Sequence, residues 1–168
     1  LVLSQVFFKA GLVPPFIAAG ENLSFWPLGP LFRRSGAFFI RRSFKGDKLY
    51  STLCAAYIKR LLREGHSLEF FIEGGRSRTG RLLSPATGML SMTIRSYLRE
   101  PRRPVVFVPV YFGYERIFEG PTYVGELSGK PKEKESVRGL LRSLARLRER
   151  FGRVHVSFGE PIQLDPLL

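Results

Sequence analysis

The feature of this sequence that most constrains its fold is the alternation of short apolar runs with longer stretches of helical spacing. The apolar runs are four to six residues long, a length typical of strands in a sheet. Strands that alternate with helices predict an α/β fold with a mainly parallel central sheet flanked by helices. The predicted strands are residues 16–19, 37–40, 68–72, 105–110 and 154–158.

The helical stretches are marked by apolar residues four apart and by local start and stop signals. Leu49, Leu53 and Tyr57 follow this spacing, and Gly65 fits the end of their helix. Ser84 and Pro85 are a typical pair for the start of another helix. We therefore predict a helix end in residues 1–10, helices over 47–64, 84–98 and 137–151, and a loop over 20–36.

Composition limits the possible functions. Lys and Arg number 27 against 14 Asp and Glu, a net charge of +13, so the chain is expected to bind anions. The single Cys54 excludes an intrachain disulfide framework and a zinc site of four cysteines. No apolar run reaches 18 residues, so we predict no transmembrane helix and only peripheral membrane contact.

The strongest chemical signal follows the third predicted strand, where Glu73, Gly74 and Gly75 lead into three arginines within six residues. Arginine presents planar donors that fit phosphate oxygens, and glycine lets the backbone approach a ligand closely. Glu73 could orient a hydroxyl or fix an arginine. The segment lacks the order of a P-loop. The alternative is a basic surface loop with a salt bridge.

Two further segments lie at predicted strand ends, which is where open α/β sheets bind ligands. Arg41 and Arg42 follow the second strand, and alternation predicts that only one of them faces a site. The alternative is an arginine pair on the surface. Pro109 interrupts the fourth strand, which favours an edge, a bulge or a strand end shaped for a ligand. A plain edge strand is equally compatible with this proline.

In this order and at this spacing, the three segments resemble three sequence blocks of the glycerophospholipid acyltransferase family. The matching residues are Gly36, Phe39, Ile40 and Arg42, then Phe71, Glu73, Gly74, Arg76, Ser77 and Arg78, then Val108, Pro109 and Val110. Longer matches resemble the long bacterial glycerol-3-phosphate 1-O-acyltransferases, in residues 5–12, 16–23, 88–94, 132–136 and 158–162. Gly75 favours this branch over the lysophosphatidate acyltransferases. The resemblance spans nearly the whole chain and implies that residues 1–168 are part of one acyltransferase domain.

The resemblance implies a function and a site. Such enzymes transfer a fatty acyl group from acyl-CoA or acyl carrier protein to the sn-1 hydroxyl of glycerol 3-phosphate, the first step of phospholipid synthesis, with no metal or redox cofactor. By the same analogy the substrate-binding residues divide by role. The phosphate is held by Arg42, Arg76 and Arg78 within a block that includes Ser77, the hydroxyls are placed by Glu73 and Gly74, and the acyl-donor side is shaped by Pro109.

The family's catalytic block, His-x4-Asp, is missing from this chain. His66 is followed five residues later by Phe71, and His155 by Glu160. His155 has a suitable spacing, but it follows the arginine-rich segment, whereas the family block precedes it, so we interpret it as a strand histidine. We expect the block just before Leu1, and we expect this chain alone to be inactive.

The resemblance also implies a location, peripheral on the cytoplasmic face of the bacterial inner membrane. The arginines of residues 137–151 could rest on anionic lipid, or they could line the solvated side of an ordinary helix. Two other functions remain open. One is a related enzyme that acylates lysophosphatidate or dihydroxyacetone phosphate. The other is a nucleic-acid-binding module, which is disfavoured because most phenylalanines lie on apolar strands.

Overall fold

The computed structural model describes residues 2–41, 43–44, 46–75, 82–115 and 152–165. The described helices are α1 (Val2–Lys9), a 3-10 turn (Glu21–Leu23), α2 (Leu28–Arg34), α3 (Lys48–Glu64) and α4 (Gly88–Arg99). The described strands are β1 (Phe16–Gly20), β2 (Ala37–Ile40), β3 (Leu68–Glu69), β4 (Val106–Phe107), β5 (Val110–Tyr114), β6 (Val154–Phe158) and β7 (Ile162–Gln163). The predicted helix 137–151 lies outside the described residues.

A parallel sheet in the order β2-β1-β3 confirms the predicted α/β class. Ile17 is paired with Ala37 on one side, and Phe16 with Leu68 on the other. Helices α3 and α4 pack against this sheet through a core of Ala18, Ile58 and Met89. The central strand β1 is therefore covered by apolar side chains. Because the strands are parallel, the chain leaves β2 and β3 at the same edge of the sheet.

Helix α3 is bounded by a capping residue at each end. Asp47 is the N-cap, and its Oδ1 accepts a hydrogen bond from the Tyr50 backbone N–H at 2.9 Å. Gly65 ends the helix with a φ of +80°, a left-handed conformation that glycine adopts without steric strain. The helix predicted over 47–64 is confirmed.

The predicted loop over 20–36 is wrong in part, because it contains the 3-10 turn and α2. A close backbone contact explains why a glycine-rich stretch becomes helical here. The Gly29 N–H donates to the Phe25 carbonyl at 2.7 Å, and a Cβ on Gly29 would lie only 2.2 Å from the Ser24 carbonyl oxygen. Gly29 thus permits a turn that a larger residue would block.

Two other predicted boundaries are also wrong. Strand β3 contains only Leu68–Glu69, so the predicted strand 68–72 ends early and the chain turns at Ile72. Helix α4 begins at Gly88 with Thr87 as N-cap, not at Ser84 and Pro85. The Leu83 N–H donates to the Glu73 carboxylate and the Ala86 N–H donates to the Ile72 carbonyl, so this stretch is not helical. These tertiary contacts override the helix-start signal of Ser84 and Pro85.

The described residues form two compact units. The first contains those up to Phe107 and from Gln163, and the second contains those between Val108 and Ile162. In the second unit β5 and β6 are antiparallel, with Val110 opposite Phe158. The strand predicted over 154–158 is confirmed.

The strand predicted over 105–110 is divided into β4 and β5 by Val108 and Pro109. Proline has no N–H to donate to a ladder. In the second unit the Pro109 carbonyl instead accepts a hydrogen bond from the Gly159 N–H at 2.8 Å. Strand β4 pairs with β7. None of the helices described is both long enough and apolar enough to cross a membrane.

Candidate functional site

Two segments follow strands of the parallel sheet and leave it from the same edge. We call them the β2 segment (residues 41–47) and the β3 segment (residues 70–75). Only β1 separates β2 from β3. Because neighbouring strands lie roughly 4.8 Å apart, β2 and β3 are about 10 Å apart across the sheet. Along β1, β3 ends opposite Ile17 and β2 ends opposite Gly20, so the two segments begin three residues apart in that direction. This edge is the usual ligand edge of an open α/β sheet.

The β3 segment contains a tight turn that requires glycine. The Gly74 N–H donates to the Phe71 carbonyl at 3.0 Å, and Gly74 has a φ of +60°. A Cβ on Gly74 would also approach the Ala86 Cβ to 2.9 Å. The turn itself therefore requires glycine at position 74, whether or not a ligand also approaches the backbone there.

Glu73 joins the β3 segment to the chain that returns after residue 81. Its Oε2 accepts a hydrogen bond from the Leu83 backbone N–H at 2.9 Å, and the Ala86 N–H donates to the Ile72 carbonyl at 2.6 Å. These two bonds bring together the residues on either side of the arginine-rich stretch. One oxygen of Glu73 is thereby occupied, and its role toward substrate hydroxyls stays a prediction.

The β2 segment is held by the first turn of α3. The Arg41 backbone N–H donates to Tyr50 Oη at 3.0 Å, and Arg41 Nη1 lies 2.8 Å from Asp47 Oδ2. The guanidinium also lies 4.5 Å from the centre of the Tyr50 ring, which stacks on Phe44 at 5.5 Å. Arg41 is therefore engaged by its own chain on both backbone and side chain.

Sequence analysis predicted that only one of Arg41 and Arg42 faces a site and chose Arg42 by resemblance, but it missed Tyr50. Asp47 carried the only available signal, since an Asp just before a helical stretch is a typical N-cap. That Asp47 also binds Arg41 depends on the turn between β2 and α3. Partial burial raises the pKa of the Tyr50 hydroxyl, whose oxygen accepts the Arg41 N–H.

The structure describes three of the seven predicted substrate-binding residues. Glu73 and Gly74 lie in the β3 segment. Pro109 lies between β4 and β5 in the second unit, and its role on the acyl-donor side stays a prediction. The other four lie outside the described residues and remain predictions: Arg42, Arg76, Ser77 and Arg78.

Both histidines contact a glutamate. His66 Nε2 lies 3.3 Å from Glu64 Oε2. His155, on β6, has a side chain 66% exposed, with Nε2 3.9 Å from Glu115 Oε1. Among the described residues, no group of three or more His, Cys, Asp or Glu side chains could hold a metal ion. The expected absence of a cofactor remains a prediction.

A second basic cluster lies between the C-terminal ends of α3 and α4. Glu100 binds Lys59 at 2.6 Å and Arg102 at 2.5 Å, and Arg63 and Arg103 line the same groove. The hydrogen bond from Lys59 lowers the pKa of Glu100. Cations are favoured at helix C-termini, so the fold itself accounts for this cluster. Because α3 runs back from β2 to the start of β3, the cluster lies away from the strand-end edge.

Comparison with known proteins defines the protein family of this chain. Residues 1–113 match the family described as Acyltransferase, which is more than half of the chain. The chain therefore belongs to the acyltransferase family. Residues 123–168 match a second family, described as glycerol-3-phosphate acyltransferase C-terminal region.

Individual relatives share one name. The chain is 56% identical over 168 residues to proteins named glycerol-3-phosphate acyltransferase from Pseudomonas paraeruginosa (strain DSM 24068 / PA7) and Pseudomonas aeruginosa (strain LESB58). It is 54% identical over 169 residues to a protein of the same name from Xanthomonas axonopodis pv. citri (strain 306). Each match covers 100% of this chain but only 20% of the Pseudomonas proteins and 19% of the Xanthomonas protein. The chain thus spans about a fifth of the length of these relatives.

Proposed function

We propose that this chain is part of a longer polypeptide that transfers a fatty acyl group to the sn-1 hydroxyl of glycerol 3-phosphate. The acyl donor is acyl-CoA or acyl carrier protein. This chain supplies the site for glycerol 3-phosphate within that polypeptide. The proposal rests on the family membership and on the shared name of relatives at 54% and 56% identity.

One observation carries the assignment of the site. Strands β2 and β3 are parallel and about 10 Å apart across one sheet, and the chain that follows each of them contains arginines in the sequence, Arg42 in one case and Arg76 with Arg78 in the other. A dianionic phosphomonoester requires fixed cations. Binding the phosphate there would hold the acceptor hydroxyl against the thioester carbonyl, and such positioning can lower a barrier by roughly 7–11 kcal/mol in good cases.

The test is Arg76→Ala in the longer polypeptide, with steady-state kinetics in both substrates. Loss of a charge-assisted hydrogen bond of about 1.5–3 kcal/mol predicts a KM for glycerol 3-phosphate raised roughly 10- to 100-fold. The KM for the acyl donor should stay unchanged. An unchanged KM for glycerol 3-phosphate with a lowered kcat would contradict the phosphate-binding role.

Arg60→Ala is the matched control. Arg60 lies on α3 in the same unit, where its Nε bonds Glu64 Oε1 at 2.8 Å on an exposed surface. An exposed pair four residues apart contributes only about 0.3–0.5 kcal/mol. This variant removes the same charge from a different surface and should leave both KM values unchanged.

The same proposal assigns the catalytic base to the remainder of the longer polypeptide. Neither His66 nor His155 is followed by an aspartate at the family spacing. A histidine with an aspartate partner would take the proton from the acceptor hydroxyl as the thioester is attacked. Purified chain limited to the 168 residues should accordingly show no acyl transfer.

We also propose that the longer polypeptide is peripheral on the cytoplasmic face of the bacterial inner membrane. Support comes from the net charge of +13, which favours anionic lipid head groups. The experiment is vesicle flotation of the longer polypeptide. Binding to vesicles with anionic lipid should exceed binding to neutral vesicles and should weaken with salt. Equal binding to both would contradict an electrostatic association.

A further inference from the structure

We propose that Tyr50 and Asp47 are positioning residues for the glycerol 3-phosphate site, and that they act by holding Arg41 away from the substrate. This inference rests on the proposed function. The resemblance to the family pointed to Arg42 but to nothing on α3. The structure shows Arg41 bound to α3, and the resemblance assigns the phosphate to Arg42.

The contacts of Arg41 hold its guanidinium against the first turn of α3. Tyr50 Oη accepts its backbone N–H at 3.0 Å, Asp47 Oδ2 binds Nη1 at 2.8 Å, and the guanidinium covers the Tyr50 ring at 4.5 Å. The Asp47 carboxylate therefore competes with a phosphate for this side chain. Arg41 is thus a poor candidate for the anion, although its position after β2 matches that of a ligand residue.

The same contacts fix the direction in which the chain leaves β2. Asp47 is held by its role as N-cap of α3, through Tyr50 N to Oδ1 at 2.9 Å, and Phe44 stacks on the Tyr50 ring. Tyr50 therefore connects the rigid first turn of α3 to the Arg41 peptide. Because the peptide bond is planar, fixing the Arg41 N–H orients the peptide that joins Ile40 to Arg41, where the chain leaves β2.

Each contact alone is weak, since Arg41 and Asp47 are 51% and 42% exposed. The contacts of Arg41 with Tyr50 and with Asp47 act together, because both partners belong to the first turn of α3. Loss of one contact should loosen the β2 segment without unfolding the sheet, whose core lies at Ala18, Ile58 and Met89. A loosened segment should weaken acceptor binding more than the chemical step.

The experiment is Tyr50→Phe in the longer polypeptide, which removes the acceptor oxygen but keeps the ring. We expect the KM for glycerol 3-phosphate to rise about fivefold, with kcat, the KM for the acyl donor and the thermal midpoint nearly unchanged. Asp47→Asn is the second variant, because asparagine still caps α3 but lacks the charge for Arg41. It should give the same pattern.

Tyr57→Phe is the matched control. Tyr57 lies on the same helix two turns later, with its ring edge-on to Phe38 at 5.1 Å. Removal of its hydroxyl should leave the KM for glycerol 3-phosphate unchanged. An equal rise for Tyr57→Phe and Tyr50→Phe would overturn a specific role for Tyr50.

A double-variant cycle with Arg42→Ala separates this inference from the proposed function. If Tyr50 acts through the β2 segment, Tyr50→Phe should have almost no further effect in an Arg42→Ala background. Additive KM effects would overturn the inference and leave the phosphate site in place. No KM effect of Arg42→Ala itself would overturn the proposed site. If Tyr50→Phe and Asp47→Asn both lower kcat and raise the KM for both substrates, their role is purely structural. That result would also overturn the inference.

Discussion

The β2 and β3 segments leave the same edge of one sheet but are held by different means. The β2 segment is bound by side chains of the helix that follows it, chiefly Tyr50 and Asp47. The β3 segment is bound through Glu73 and Ile72 to backbone groups of Leu83 and Ala86. One segment is therefore fixed by local capping, whereas the other depends on residues that lie beyond the arginine-rich stretch.

Disruption of the β3 segment should have the largest effect. Gly74→Val forces a branched residue into a left-handed conformation, at about 1–2 kcal/mol, and adds an overlap with Ala86. We expect kcat/KM for glycerol 3-phosphate to fall at least about tenfold. Steady-state kinetics of the longer polypeptide measures it.

Gly88→Ala is the control for that substitution. Gly88 is the first residue of α4, and a Cβ there meets no atom within 4 Å. Alanine should therefore be neutral, or stabilising by up to about 1 kcal/mol. A Gly74→Val variant with the activity of Gly88→Ala would show that the turn tolerates a side chain.

Disruption of the β2 segment should have a smaller effect, seen as a loss in the free energy of unfolding. Asp47→Ala removes both the N-cap of α3 and the ion pair to Arg41, and we expect a loss of about 1 kcal/mol. Asp47→Asn keeps the cap and should lose about 0.5 kcal/mol or less. Urea unfolding of both variants compares the two contributions. Equal losses would mean that the ion pair, and not the cap, dominates.

The smallest expected effect is on the pH dependence of stability and comes from Glu69, the last residue of β3. Strand β2 ends at the apolar Ile40, but β3 ends at Glu69, whose Oε2 is shielded from solvent and has no hydrogen-bond partner among the described residues. Burial raises the pKa of Glu69. The folded state therefore binds this proton more tightly than the unfolded state, and stability is lost as pH rises through the folded pKa.

Glu69→Gln should remove that pH dependence. At pH 7 the variant should be more stable than the unsubstituted protein by about 1 kcal/mol or less. The difference should vanish below the ordinary glutamate pKa of about 4.3. Thermal midpoints from pH 4 to 8 test this, and parallel curves for the two proteins would contradict a buried unpaired charge.

Much of the fold could be predicted because local signals agreed with tertiary structure. Strands β1 and β2 and helix α3 lie within a residue of their predicted bounds, since apolar runs, Asp47 and Gly65 mark them. Residue type alone favoured an anion site in the arginine-rich stretch, which lies outside the described residues and stays a prediction. These features depend on neighbours in sequence.

The missed features depend on contacts between distant residues. The start of α4 at Gly88 could not be predicted, because Leu83 and Ala86 are bound by the β3 segment. The role of Tyr50 depends on a turn that returns the helix to Arg41. The division of the fourth strand at Pro109 was signalled by residue type, but its bond to Gly159 was not.

The hydrogen bond from Leu83 to Glu73 joins residues ten positions apart in the sequence. It anchors the two ends of the intervening stretch to each other whatever the number of residues between them, because a longer loop adds little closure cost. Libraries that test the proposed acceptor site should therefore keep Glu73 and randomise the residues between the two anchors.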